Sequence, residues 1–74
     1  MKVAVITGAA RGIGLATAKR FFAEGHAVVM LDVLEDQQAA EAAALGDPDR
    51  VLALRCDVAE HADVEAAMAA AKAR

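Results

Sequence analysis

The run Val3-Ala4-Val5-Ile6 is uninterrupted and apolar, and it passes through Thr7 directly into Gly-Ala-Ala-Arg-Gly-Ile-Gly. A segment with helical spacing follows at once. Four consecutive apolar residues suit a strand covered on both faces. Three glycines within seven residues suit a chain that must reverse tightly and start a helix close to that strand. This strand–turn–helix start fits a layered α/β arrangement, which the rest of the chain must bear out.

The rest of the chain repeats the alternation. Strands are expected at Lys2–Thr7, Ala27–Asp32 and Val51–Cys56, and helices at Gly12–Glu24, Glu35–Leu45 and Glu60–Lys72. In the first helix Gly14, Ala18 and Phe21 share a face, with Thr17 and Phe22 at its margins. Gly25 reads as its left-handed stop. The second helix holds five alanines and offers little apolar surface. In the third strand Arg55 falls on the less buried side. The third helix has a stripe of Val64, Ala67, Met68 and Ala71, with acidic residues in its first turns and Lys72 and Arg74 at its end, as the helix dipole favours. Strand–helix–strand units with short connections give parallel strands and right-handed crossovers.

Composition excludes several roles. The net charge is −3, and the only aromatics are two Phe. Both argue against nucleic acid and anionic membranes as partners. A single cysteine, Cys56, rules out an internal disulfide. No apolar run is long enough to span a bilayer, so a cytoplasmic protein is expected. His26 and His61 are not at metal-ligand spacing and read as surface residues; no metal site is expected. Cys56 reads as packing. Hydrophobic residues make up 58% of the chain, but 21 of them are alanine. A chain of this length buries only about 60–65% of its unfolded surface, so its core is thin.

The glycine loop carries the chemistry. Gly8 permits the turn off the strand, Gly12 lets a phosphate approach the backbone, and Gly14 packs the helix closely. The helix start presents unpaired N–H groups to a pyrophosphate. Asp32 ends the second strand, 20 residues after Gly12, where a carboxylate meets the ribose hydroxyls of an adenosine. Its competing role is an N-cap for the next helix, but Glu35 and Asp36 look more like that helix's start. For Asp57 two readings stand level: an acceptor for the adenine amino group, or a capping box Asp57-Val58-Ala59-Glu60.

These features together resemble the N-terminal part of a short-chain dehydrogenase/reductase. Thr7, Gly8, Gly12 and Gly14 meet that family's Thr-Gly-x-x-x-Gly-x-Gly motif, Asp32 its acidic residue, and Asp57-Val58 its Asp-Val pair. The resemblance covers essentially the whole chain and tips Asp57 toward adenine. It implies a Rossmann-type three-layer fold with a parallel sheet. Residues 1–74 would form the first β-α-β-α-β-α portion of a single NAD(P)-binding domain. It also implies a cofactor-binding set of Gly8, Arg11, Gly12, Ile13, Gly14, Asp32, Val33, Asp57 and Val58.

NAD is expected over NADP, because Asp32 would repel a 2′-phosphate and Val33 and Leu34 supply no cation. Arg11 is the complication, since a basic residue in this loop can reach a 2′-phosphate. The family's catalytic Ser, Tyr-x-x-x-Lys and Asn-Asn-Ala-Gly have no counterpart, because the chain contains no Ser, Tyr or Asn. The resemblance therefore implies a piece of an oxidoreductase that is inactive alone, with an alcohol or ketone substrate and homo-oligomeric assembly belonging to the whole enzyme. The alternative is a non-catalytic half-Rossmann module that binds nucleotide or self-associates. In the family's strand order the first strand is central, so here its outer edge is expected to be bare and to promote self-association. A monodisperse monomer in solution would argue against that.

Overall fold

The computed structural model describes residues 2–72, without the side chains of His61, Ala71 and Lys72. The elements run β1 (Val3–Thr7), α1 (Gly12–Ala23), β2 (Ala27–Asp32), α2 (Glu35–Leu45), β3 (Val51–Arg55) and α3 (His61–Lys72). The strands are parallel in the order β1-β2-β3, with Val5 beside Val29 and Val29 beside Leu52. All three strands therefore deliver their carboxyl ends to the same edge of the sheet.

Side chains alternate across a sheet, and two cores result. Val28, Met30 and Val51 pack with Ala9 and Ala18, and Phe21, Phe22, Ala42 and Leu45 close around them from α1 and α2. On the opposite face Val29, Leu31 and Cys56 meet Ala67, with Leu52, Leu54 and Val64 alongside. This is a three-layer α/β sandwich with α1 and α2 on one side and α3 on the other. Central β2 is buried on both faces: Val28, Val29, Met30 and Leu31 are each at most 3% exposed.

The apolar run of β1 suits double cover, but at the edge of the sheet one row is left exposed. Val3 and Val5, which share a face with Val29, are 53% and 38% exposed. Among the described residues α3 packs on β3 and, through Ala67, on Val29 and Leu31 of β2, and Val3 and Val5 lie outside that cluster. Within the described residues β1 is an edge strand, as the strand-order reasoning anticipated. Met68 also departs from expectation: it lies exposed, and the buried part of α3 is Ala67 flanked by Val64. The side chain of Ala71, the remaining member of that expected stripe, lies outside the described residues, as do the side chains of His61, Lys72 and Arg74 and their expected roles.

Helix ends follow local chemistry. Beyond α1, Gly25 adopts φ +90° and donates its N–H to Phe22 O, while the His26 N–H reaches Phe21 O. This paired pattern needs a left-handed residue after the helix. His26 then rests its ring on Phe21, 5.7 Å between centroids, so it is half-buried rather than a free surface residue. Arg50 ties the same helix end to β3. Its guanidinium lies 4.1 Å over the Phe22 ring and donates to Phe22 O at 2.8 Å. Cation–π contact and a charge-assisted bond to a terminal helix carbonyl act together there. The Arg50→Ala protein should lose about 1–2 kcal/mol; a melting temperature within ~2 °C of wild type would count against this staple.

Candidate functional site

The loop from Gly8 to Gly14 leaves β1 at the sheet's carboxyl edge. Gly8 and Gly12 both lie in the left-handed region, φ +62° and +61°, and a Cβ on either would point into open space. Glycine is needed there for backbone conformation, and the space beside it is free for a ligand. Gly14 differs. Its backbone torsions are helical, but a Cβ would overlap the carbonyl of Gly8 and press on that of Thr7. Gly14 thus packs α1 against the loop itself at the strand's end.

The start of α1 has no side-chain cap and no acidic residue in its first turn, and its N-cap is Arg11. By contrast, α2 carries Glu35 and Asp36 in its first turn. Of these two helices, α1 leaves its amino end uncompensated, the condition under which a helix start attracts an anion. Arg11 and Ile13 stand exposed beside it, Ile13 at 87%.

Asp32 sits at the end of β2 with both carboxylate oxygens engaged. Oδ1 accepts the Leu34 N–H and Oδ2 the Ala10 N–H, each at 3.0 Å. Asp32 is therefore not the N-cap of α2; that place is held by Leu34. The Leu34 N–H lowers the carboxyl pKa most. The N–H groups of Ala10 and Val33 and the positive charge of Arg11 add to this, against an opposing effect of burial. The net direction is below the ordinary 3.8, so Asp32 is ionised at neutral pH.

Val33 follows, half exposed. One strand over, Arg55 lies beside Asp32 in register, and the Cys56 N–H donates to Asp32 O. Asp57 and Val58 therefore leave β3 next to where Asp32 leaves β2, and Val58 is 62% exposed. The Asp57–Glu60 capping box is not formed. Asp57 Oδ1 accepts the Ala59 N–H in a tight turn, and helix α3 starts only at His61. Asp63 reaches back instead, its Oδ2 accepting from the Asp57 N–H at 3.1 Å and from Arg55 at 3.2 Å.

Two residues of this edge escaped the sequence reasoning. Gln37 donates from Nε2 to Ala10 O at 3.3 Å, and Gln38, 1% exposed, donates to Leu54 O at 3.0 Å. Gln38 stands at helical spacing from Ala42 and Leu45, both packed on the core. That periodicity was a usable signal of its burial. Among the described residues no cluster of His, Cys, Asp or Glu could hold a metal, and no helix is long and apolar enough to cross a membrane.

The arrangement is thus an uncapped helix start behind two left-handed glycines, with an ionised carboxylate at the next strand's end and an exposed valine beyond it on either side. Its parallels among known proteins agree. The family model for short chain dehydrogenases matches residues 2–74. An uncharacterised oxidoreductase of Mycobacterium bovis is 48% identical over 64 residues, covering 86% of this chain and 26% of the relative. Two solved structures superpose closely. A 3-ketoacyl-(acyl-carrier-protein) reductase from Brucella melitensis, complexed with NADH, has TM-score 0.88 and 43% identity over 95% of this chain and 28% of its own. An alcohol dehydrogenase from Thermococcus sibiricus, complexed with 5-hydroxy-NADP, has TM-score 0.83 and 36% identity over 90% of this chain and 29% of its own. The chain spans about a quarter of the length of the curated relatives it matches. With its glycine loop, acidic strand end and Asp-Val pair in register across residues 2–74, the chain belongs to the short chain dehydrogenase family.

Proposed function

We propose that residues 1–74 form the N-terminal, adenosine-binding part of a single nicotinamide-dinucleotide domain. The whole protein would be an oxidoreductase that passes hydride between the nicotinamide and an alcohol or carbonyl carbon. The observation that carries this reading is the ionised Asp32 carboxylate beside the Gly8–Gly14 loop, to which it is hydrogen-bonded through Ala10. A dinucleotide bound across a βαβ unit sets its pyrophosphate at the first helix start and its ribose hydroxyls on an acidic residue at the end of the second strand.

The roles divide by position. The Gly12 and Ile13 end of the loop faces the pyrophosphate, with Gly8 and Gly14 shaping it. Asp32 accepts the ribose hydroxyls. Val33 and Val58 offer apolar contact to the adenine, and Asp57 accepts from its amino group through the lone pairs not used by Ala59. The bound cofactor supplies the hydride chemistry; these residues bind and orient one end of it. NAD is favoured over NADP, since the Asp32 charge opposes a 2′-phosphate. Arg11 offsets part of that charge without cancelling it, because it stands on the loop rather than beyond Asp32.

The test uses the chain itself. ADP-ribose should bind it about as weakly as NAD, because no residue here reaches the nicotinamide, and hydride transfer should be undetectable. Calorimetric titration of both ligands checks this. NAD binding tenfold tighter than ADP-ribose would show nicotinamide contacts that this reading does not contain.

A further inference from the structure

Three successive peptide groups of the glycine loop are each pinned by a different partner. The Ala9 N–H donates to Leu31 O at 3.3 Å, and the Ala10 N–H donates to Asp32 Oδ2 at 3.0 Å. The Ala10 carbonyl then accepts from Gln37 Nε2 at 3.3 Å. Ala9 and Ala10 are fully buried beneath these bonds. Only two of the three pins are side chains, and Asp32 already has a place in the cofactor reading. Gln37 has none. It sits in the first turn of α2, separated from Ala10 by 27 residues of sequence.

We propose that Gln37 is a positioning residue for the phosphate-facing end of this loop. The proposal rests on the cofactor reading above. A trans peptide is planar, with its C=O and N–H pointing in opposite directions, and no cis bond occurs among the described residues. Holding the Ala10 oxygen toward α2 therefore turns the Arg11 N–H away from α2 and fixes the entry into Gly12. Gly12, at φ +61°, lacks the Cβ that would restrict its torsions. Without a fixed approach its peptide would sample orientations that do not present the start of α1 to an anion. A donor on α2 removes that freedom before the ligand arrives, so less ordering remains to be done on binding. Gln37 is exposed apart from this bond, so it adds little to the core, and its main effect falls on the loop.

The experiment compares the wild-type protein with Gln37→Met, which keeps the side chain's length and loses the donor, and with Gln37→Glu, which sets an acceptor against the Ala10 carbonyl. Amide exchange at Ala9 and Ala10 is measured without ligand. Binding of ADP and of adenosine, which lacks the pyrophosphate, is measured by NMR titration. In Gln37→Met the Ala10 amide keeps its Asp32 acceptor but should exchange several-fold faster, because freeing the adjoining Ala10–Arg11 peptide lets that bond open more often. ADP should bind about five-fold more weakly, the worth of one ordinary hydrogen bond. Adenosine affinity and melting temperature should hold. Gln37→Glu should show a larger loss of ADP binding at pH 8.

ADP binding equal to wild type in both variants would overturn the proposal. So would a parallel loss of ADP, adenosine and thermal stability, which marks a structural residue only. If the wild-type protein binds no ADP while exchange still depends on Gln37, the cofactor reading itself fails and the proposal falls with it. That outcome is distinct from a failure of the pin, in which ADP binds and exchange is unaltered.

Discussion

Gly14→Ala will destabilise the protein by about 2 kcal/mol or more and weaken dinucleotide binding at the same time. Two effects oppose each other at this position. Alanine is a better helix former than glycine by up to about 1 kcal/mol, and Gly14 lies in the first turn of α1. The added Cβ, however, meets the Gly8 carbonyl carbon at 2.6 Å and the Thr7 oxygen at 3.0 Å. Both are backbone atoms, so no side chain can rotate aside. Either α1 lifts from the sheet or the loop shifts, and overpacking of this kind costs about 1–3 kcal/mol, more where nothing relaxes. The clash should win. For a chain of this length each kcal/mol moves the melting temperature by about 4–8 °C, so a drop of roughly 10 °C is expected by circular dichroism. Gly12→Ala makes the contrast. Its Cβ enters open space, and the cost of about 1–2 kcal/mol comes only from the left-handed torsion. It should impair binding more than folding. A Gly14→Ala protein that melts with the wild type would show that α1 is less closely seated on the loop than the geometry requires.

The contrast between those glycines also marks what could be read from the sequence. The alternation of apolar runs with helical spacing places β2 and α2 at their observed limits, and β1, α1, β3 and α3 within a residue at one end. Strand and helix periodicities are local, and each run carries enough of its own pattern to be assigned. The spacing of the glycines, of Asp32 and of Asp57 is local in the same sense. What was not legible depends on where helices come to rest. Periodicity gives α3 an apolar face but not its lateral position, so Met68 was expected inside and instead lies exposed. Side-chain bonds across the fold were equally hidden. Arg50 finds Phe22 at a separation of 28 residues and Gln37 finds Ala10 at 27, pairings that no local rule suggests. Helix α2 shows the underlying reason. With five alanines and one leucine it cannot hold itself to the sheet by apolar burial alone, and the buried amide of Gln38, bonded to Leu54 O of β3, supplies part of its attachment.

Asp32→Ala should narrow the preference for NAD over NADP by at least tenfold, and do so mainly by lowering affinity for NAD. The carboxylate would accept ribose hydroxyls, and hydrogen bonds to a charged group are worth about 1.5–3 kcal/mol, or roughly ten- to a hundred-fold in binding. NADP loses no such bond and is relieved of repulsion. It does not gain the full benefit, because Asp32 also holds the Ala10 N–H, and freeing that peptide would loosen the glycine loop for both cofactors. NADP affinity should therefore change little while NAD affinity falls.

Asparagine is no rescue at this position. Oδ1 and Oδ2 each face an N–H donor, from Leu34 and from Ala10. An amide offers one acceptor and one donor, so one of the two bonds becomes a donor–donor contact. Asp32→Asn should thus behave like alanine at the loop. The pH dependence separates the charge from the ligand. Because the Asp32 pKa is lowered on folding, chiefly by the Leu34 N–H, its contribution to stability is complete above the unfolded value near 3.8. That contribution is lost as pH falls through the lower folded value. Between pH 7 and pH 3 the stability gap between wild type and Asp32→Ala should shrink, as followed by thermal melts without cofactor. A gap constant across that range, together with an unaltered NAD to NADP ratio, would mean that Asp32 neither braces the loop as a carboxylate nor reads the ribose.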